Sequence, residues 1–202
     1  MSFIAALDQS GGSTPGALNR YGVNSFTEEN MMDLIHEMRL RIVNSPSFTS
    51  QCIDTAILFE DSARRGIVEV LRKKGIRSYL KIDKSLNQDG TMKPFDVESA
   101  INTTLHYKCS GTKMRSVVNT SNITEVLEQQ FKIAREISHI GITPIVEPEI
   151  SINDPDKSSL EFALYDHLEE FLHKYDSTKV ILKLTLPDSP NMYNSLLKFS
   201  NC

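Results

Sequence analysis

VILKLTLP, residues 180–187, reads as a strand buried on both faces, with Lys183 in its middle. Uninterrupted Val, Ile and Leu of this kind belong to parallel sheets covered by helices on both sides, because a half-exposed strand alternates apolar and polar residues. A buried ammonium is costly unless it is paired or neutralised. Lys183 therefore needs a chemical reason to be there.

Similar short apolar runs precede it: FIAALD (3–8), AILF (56–59), SYLKID (78–83), GTKMRS (111–116) and TPIVEPE (143–149). Amphipathic stretches lie between them. In residues 122–139, Ile123, Val126, Leu127, Phe131, Ala134 and Ile137 recur at helical spacing. Asn122 with Glu125 predicts a capping box at the start of that helix, and Gly141 suits its end. Residues 157–175 repeat the period with Leu160, Leu164, Leu168, Phe171 and Tyr175, and residues 27–42 with Met31, Ile35, Met38 and Ile42. No linker or low-complexity segment interrupts the series, so residues 1–202 read as one domain. Strand followed by helix, repeated, predicts parallel strands with crossover helices. An open doubly wound sheet and a (β/α)8 barrel both satisfy this pattern, and the strand ends choose between them.

Residues i and i+2 of a strand point the same way. Asp8 and Ser10 share a side at the end of the first run, as do Lys81 and Asp83, Lys113 and Arg115, Glu147 and Glu149, and Lys183 and Thr185. An open sheet binds ligand at one switch point, whereas a barrel gathers side chains from many strand ends into one mouth. Charged groups on five runs predict the barrel. The cations Lys81, Lys113, Arg115 and Lys183 also balance the anions Asp8, Asp83, Glu147 and Glu149, as a compensated polar cavity requires.

An amine walled by apolar side chains and set beside a second cation holds its proton less firmly. Lys113 is placed to be that neighbour for Lys183. A neutral amine is the nucleophile that forms a Schiff base with a carbonyl. Glu147 and Glu149, two carboxylates on one side of one strand, are expected to titrate as a coupled pair and so supply an acid and a base. An iminium, a base and cations able to hold phosphate suit carbon–carbon cleavage of a phosphorylated ketose.

Composition narrows the classes further. Hydrophobic residues at 40% and charged residues at 24% predict an ordinary soluble globular protein, and a net charge of −4 with no basic stripe argues against nucleic acid as a partner. The opening MSFIAALDQS lacks a basic leader, and no apolar run reaches the ~20 residues of a membrane helix. Cys52, Cys109 and Cys202, without a CxxC pair, predict inert reduced thiols and a cytoplasmic location. His36, His106, His139, His167 and His173 form no compact ligand motif, and His167, on the apolar side of its helix, reads as a satisfied core histidine.

FIAALDQSGGSTP, ILFE, KIDK, GTKMR, PIVEPE and LKLT, in this order between residues 3 and about 198, closely resemble class I fructose-bisphosphate aldolase, in particular its shorter bacterial form. The resemblance implies a (β/α)8 barrel, no metal or other cofactor, and a small phosphorylated sugar as substrate. It implies that Lys183 is the Schiff-base lysine and Glu147 the acid/base, with Asp8, Lys113 and Glu149 as supporting charged groups. Lys81, Arg115, Ser10 and Ser13 would hold the sugar phosphate.

The chain also departs from the family. Gly16 stands where a basic residue usually follows STP, and residues 61–74 are shortened. Six strands are recognisable before Cys202, so two further strand–helix units of about 30 residues each are expected beyond it, carrying a Ser-Gly-Gly turn and an arginine for phosphate. The family's N-terminal lead-in helix is missing. The expected architecture is thus an incomplete barrel of about six of the eight units, prone to homo-oligomerise through exposed strand edges. Two other readings stand beside the aldolase: an inactive or fragmentary homologue without turnover, and a Schiff-base lyase for another sugar phosphate, which fits the chemistry but not the ordered motifs.

Overall fold

Residues 3–202, described by a computed structural model, alternate strand and helix as the sequence pattern demands. The elements are β1 (Phe3–Leu7), α1 (Thr14–Arg20), α2 (Glu28–Asn44), β2 (Ile53–Leu58), α3 (Glu60–Arg64), α4 (Ile67–Lys73), β3 (Arg77–Lys81), α5 (Val97–His106), β4 (Gly111–Val117), α6 (Ile123–His139), β5 (Thr143–Glu149), α7 (Lys157–Lys174) and β6 (Ile181–Leu182). Parallel strands in chain order, joined by helices, are the pattern of a (β/α)8 barrel carried through six strands. Two compact units divide the chain: residues up to Lys81 with Thr103–Ser110, and Ile82–Asn102 with Gly111–Cys202.

In the first unit β2 lies between β1 and β3, both parallel to it, from Ile4↔Thr55 to Leu7↔Leu58 and from Thr55↔Arg77 to Leu58↔Leu80. Leu7, Val43, Ala56, Leu58, Ile67, Leu71 and Ile76 seal α2 and α4 against these strands. Leu18, Ile35 and Met38 join α1 to α2. A reciprocal capping box opens α2: Asn30 N donates to Thr27 Oγ1 at 3.3 Å and Thr27 N to Asn30 Oδ1 at 2.8 Å. Glu28 and Glu29 in the first turn add the favourable sign for the helix dipole.

The second unit is built on β5, parallel to β4 from Gly111↔Thr143 to Val117↔Glu149 and to β6 through Ile145↔Ile181 and Val146↔Leu182. The predicted face of α6 is the buried one, with Val126, Leu127, Phe131, Ala134 and Ile137 fully enclosed. Leu160, Leu164, Leu168 and Phe171 of α7 meet it. The Phe131 ring centroid lies 5.5 Å from those of both Phe171 and Tyr175. Phe131→Ala is expected to cost about 3–5 kcal/mol, because the surrounding rings close only partly over the void. A urea or guanidinium unfolding curve checks this.

Two local expectations are corrected. Asn122 precedes α6 but does not cap it. Its amide instead donates to Val117 O at 2.9 Å and to Asp89 O at 2.5 Å, tying the end of β4 and the loop between β3 and α5 to the start of α6. Gly90 in that loop comes so close to β4 that a Cβ would stand 2.2 Å from Val117 O, and its φ of +91° suits only glycine. The second correction is to VILKLTLP: β6 covers two residues, and positions 181–185 are half-buried, not enclosed on both faces. Among the described residues β6 pairs only with β5, so its far edge lacks the strand that would bury it. The other expectation, Gly141 at the end of α6, holds with φ +79°.

Candidate active site

In the second unit, register places Lys113 opposite Ile145, Arg115 opposite Glu147 and Val117 opposite Glu149. The side chains reach one step diagonally. Lys113 Nζ lies 2.5 Å from Glu147 Oε2, while the Arg115 guanidinium grips Glu149 with parallel bonds, Nε to Oε2 at 2.5 Å and Nη2 to Oε1 at 2.9 Å. Lys183 N donates to Val146 O at 3.0 Å, continuing the ladder one residue past β6 and setting Lys183 beside Glu147. Its Nζ donates to Glu147 Oε1. One carboxylate, 3% exposed, is therefore shared by two ammonium groups.

Four neighbours hold this arrangement. Gln130, fully buried on α6, donates its amide to Glu147 O at 3.2 Å. Asp83, 6% exposed, accepts from Arg115 N at 3.1 Å, and Ile82 N donates to Lys113 O at 2.9 Å. Thr185 Oγ1 donates to Ile150 O at 2.7 Å, joining the segment after β6 to the end of β5.

The two glutamates have different partners: Glu147 meets the amines of Lys113 and Lys183, and Glu149 meets the Arg115 fork. The Arg115 fork holds the Glu149 carboxyl below the usual carboxylate range, against an opposing effect of burial, and Glu149 in turn raises Arg115. A planar guanidinium matches a carboxylate edge to edge, so Glu149 stays ionised while Glu147 faces the amines. Since the folded chain takes up the Glu149 proton less readily than the unfolded chain, this pair stabilises fully above the ordinary carboxylate pKa of about 4.3. The contribution is lost as pH falls through the depressed folded value. Glu149→Gln is accordingly expected to lower the urea midpoint at neutral pH and to flatten its decline in acid.

Lys183 also differs from its expected setting. Its side chain is 39% exposed and paired with a carboxylate, so apolar walls do not explain it. What the structure sets against Lys183 is the Glu147 carboxylate.

The remaining predicted residues belong to the first unit. Asp8, Ser10 and Lys81 are half-buried at the ends of β1 and β3, and Ser13 is exposed. Ser10 N donates to Ser13 Oγ at 3.1 Å and Ser13 Oγ donates to Ser10 O at 3.0 Å, so the serines close one turn. Gly16 has no atom within 4 Å of where a Cβ would stand, so packing does not require glycine there. Sequence reading missed Arg39. It is fully buried, and donates to Gln9 O and, at 2.7 Å, to Ser62 Oγ. Burial brings its pKa down to about 10, against the opposing charges of Asp8 and Asp61. The signal was available: Arg39 lies four residues after Ile35 and four before Val43, on the apolar face of α2. His167, half-buried, places Nδ1 2.8 Å from Ala163 O of its own helix, and so is not enclosed in the core.

Among the described residues no group of three His, Cys, Asp or Glu side chains is arranged to hold a metal ion, and no helix is long and apolar enough to cross a membrane. No protein-family model matches the chain. Among solved structures it superposes, with a TM-score of 0.68 and 19% identity, on fructose-bisphosphate aldolase from Plasmodium falciparum, determined as a ternary co-crystal with TRAP and a small-molecule inhibitor. The match covers 91% of this chain and 59% of that one. Likeness at this identity carries the fold and not the chemistry grafted onto it. The chain has an aldolase-like (β/α) barrel fold, in incomplete form.

Proposed function

We propose that this chain is a class I, Schiff-base aldolase that cleaves fructose 1,6-bisphosphate reversibly into dihydroxyacetone phosphate and glyceraldehyde 3-phosphate. The observation that carries the reading is the Glu147 carboxylate held between Lys183 and Lys113. Direct contact lets Lys183 Nζ pass a proton to Glu147 and attack the substrate ketone. Glu147 returns the proton to the resulting hydroxyl, water leaves, and an iminium forms. The same carboxylate then takes the substrate hydroxyl proton, the carbon–carbon bond breaks, and its electron pair enters the iminium to give an enamine as the aldehyde departs. Protonation and hydrolysis release the second triose and regenerate the amine. Lys113 stays against Glu147 Oε2 throughout and holds that carboxyl facing Lys183.

Asp8, Lys113 and Glu149 serve as supporting charges, and Lys81, Arg115, Ser10 and Ser13 as phosphate-holding groups, on the strength of the ordered motifs. Arg115 spends two of its five donors on Glu149 and keeps the others for phosphate. One observation favours the second reading, a homologue without turnover: β6 is two residues long and leaves Lys183 partly exposed. The experiment that separates the two follows triose phosphate release from fructose 1,6-bisphosphate by folded protein. Saturable release supports the enzyme, and its absence supports the homologue without turnover.

A further inference from the structure

The segment that carries Lys183 is held mainly from beyond its own strand. Past Lys183, whose N–H still donates to Val146 O, the chain leaves the sheet. Thr185 bonds Ile150 O and Leu184 packs against the core, but Leu186 is 86% exposed, so apolar packing does not anchor residues 186–188. A buried ionic clamp does. Lys157 Nζ donates to Leu186 O at 3.0 Å, to Asp188 Oδ1 at 2.7 Å and to Glu161 Oε1, filling all three of its donor positions. Glu161 Oε2 accepts from Asp188 N at 3.0 Å. Both members on α7 are enclosed, Lys157 at 8% and Glu161 at 1% exposure.

Helix rules do not account for Lys157. It is the first residue of α7, where a cation has the wrong sign for the dipole, and no acidic residue stands in that turn. Burying it beside Glu161 adds a desolvation cost that good geometry must offset. Every ligand it gathers beyond its own helix belongs to residues 186–188, three to five positions after Lys183. A lysine whose amine must meet both a carboxylate and a carbonyl tolerates little displacement, since about 1 Å of misplacement costs ~10²-fold in rate.

We infer that Lys157 and Glu161 are positioning residues that clamp the turn after β6 and thereby set Lys183 against Glu147. This rests on the Schiff-base reading for its catalytic consequence, but not for the clamp itself. Replacing both members by apolar residues of similar size avoids leaving a lone buried charge and is often neutral for stability. The test therefore uses Lys157→Met/Glu161→Leu, together with Asp188→Ala, whose side chain is 55% exposed and whose loss does not threaten the core. Both are compared with the parent by amide hydrogen exchange and by the rate at which borohydride fixes dihydroxyacetone phosphate to Lys183.

In the double variant the amides of Lys183 and Asp188 are expected to exchange at least ~10-fold faster while those of α6 are unchanged. Trapping at saturating dihydroxyacetone phosphate is expected to slow at least ~10-fold with the unfolding midpoint preserved. Asp188→Ala shifts both readouts the same way by less. Unchanged exchange at 183 and 188 in a folded variant overturns the inference, as does acceleration spread equally over α6. If the double variant fails to fold, Asp188→Ala decides by the same two criteria. Should the parent itself form no adduct, the aldolase reading fails and the exchange comparison still decides the clamp.

Discussion

Lys183→Met is expected to lower any cleavage of fructose 1,6-bisphosphate by at least about 10³-fold while leaving the variant folded. On the proposed mechanism the first effect follows from removing the atom that would bond covalently to substrate; without it the iminium that accepts the electron pair cannot form. The second follows from where the side chain sits. It is 39% exposed, and Glu147 keeps Lys113 as a buried partner when Lys183 is gone. A coupled assay for triose phosphate and a urea unfolding curve on the same preparation measure both effects. A variant that loses activity only because its midpoint collapses contradicts the assignment.

Glu147 is expected to separate stability from chemistry. Glu147→Ala deletes the carboxylate that two lysines share, and Lys113 is only 3% exposed. Breaking a buried pair from one side costs about 3 kcal/mol, the lower end of the usual range because Lys183 can turn to solvent. Glu147→Gln keeps the shape and hydrogen-bonding capacity at smaller cost to stability, but a carboxamide cannot accept and return protons. Cleavage should fall by about 10²–10⁴ in that variant, and the limb of the pH–rate profile that reports the base should disappear. Full activity in Glu147→Gln would remove Glu147 from the proton path.

Much of the framework was legible in the sequence, for a physical reason. Five of the six runs became strands of similar extent. β2 to β5 are largely buried, which is what writes a near-continuous apolar signature, whereas β1 keeps Phe3 and Ile4 exposed. The i, i+2 pairs on β4 and β5 project together because strand geometry leaves no alternative. VILKLTLP misled because the same run of Val, Ile and Leu is written whether or not a neighbour covers its far edge, and pairing is a property of the sheet. Glu147 and Glu149 looked equivalent for a related reason: spacing gives the side on which a carboxylate lies, but not which cation one strand away reaches it. Arg39 and Lys157 escaped notice because each sits within an otherwise regular helical period. Only the packed structure gives those cations a backbone carbonyl to hold, Gln9 O for Arg39 and Leu186 O for Lys157.

The decisive measurement is mass mapping of the reduced adduct formed when the protein meets dihydroxyacetone phosphate and borohydride. A single modified peptide with the added mass on Lys183, abolished in Lys183→Met, is the predicted result. An adduct on Lys113 or Lys81 instead, or none on folded protein, contradicts it.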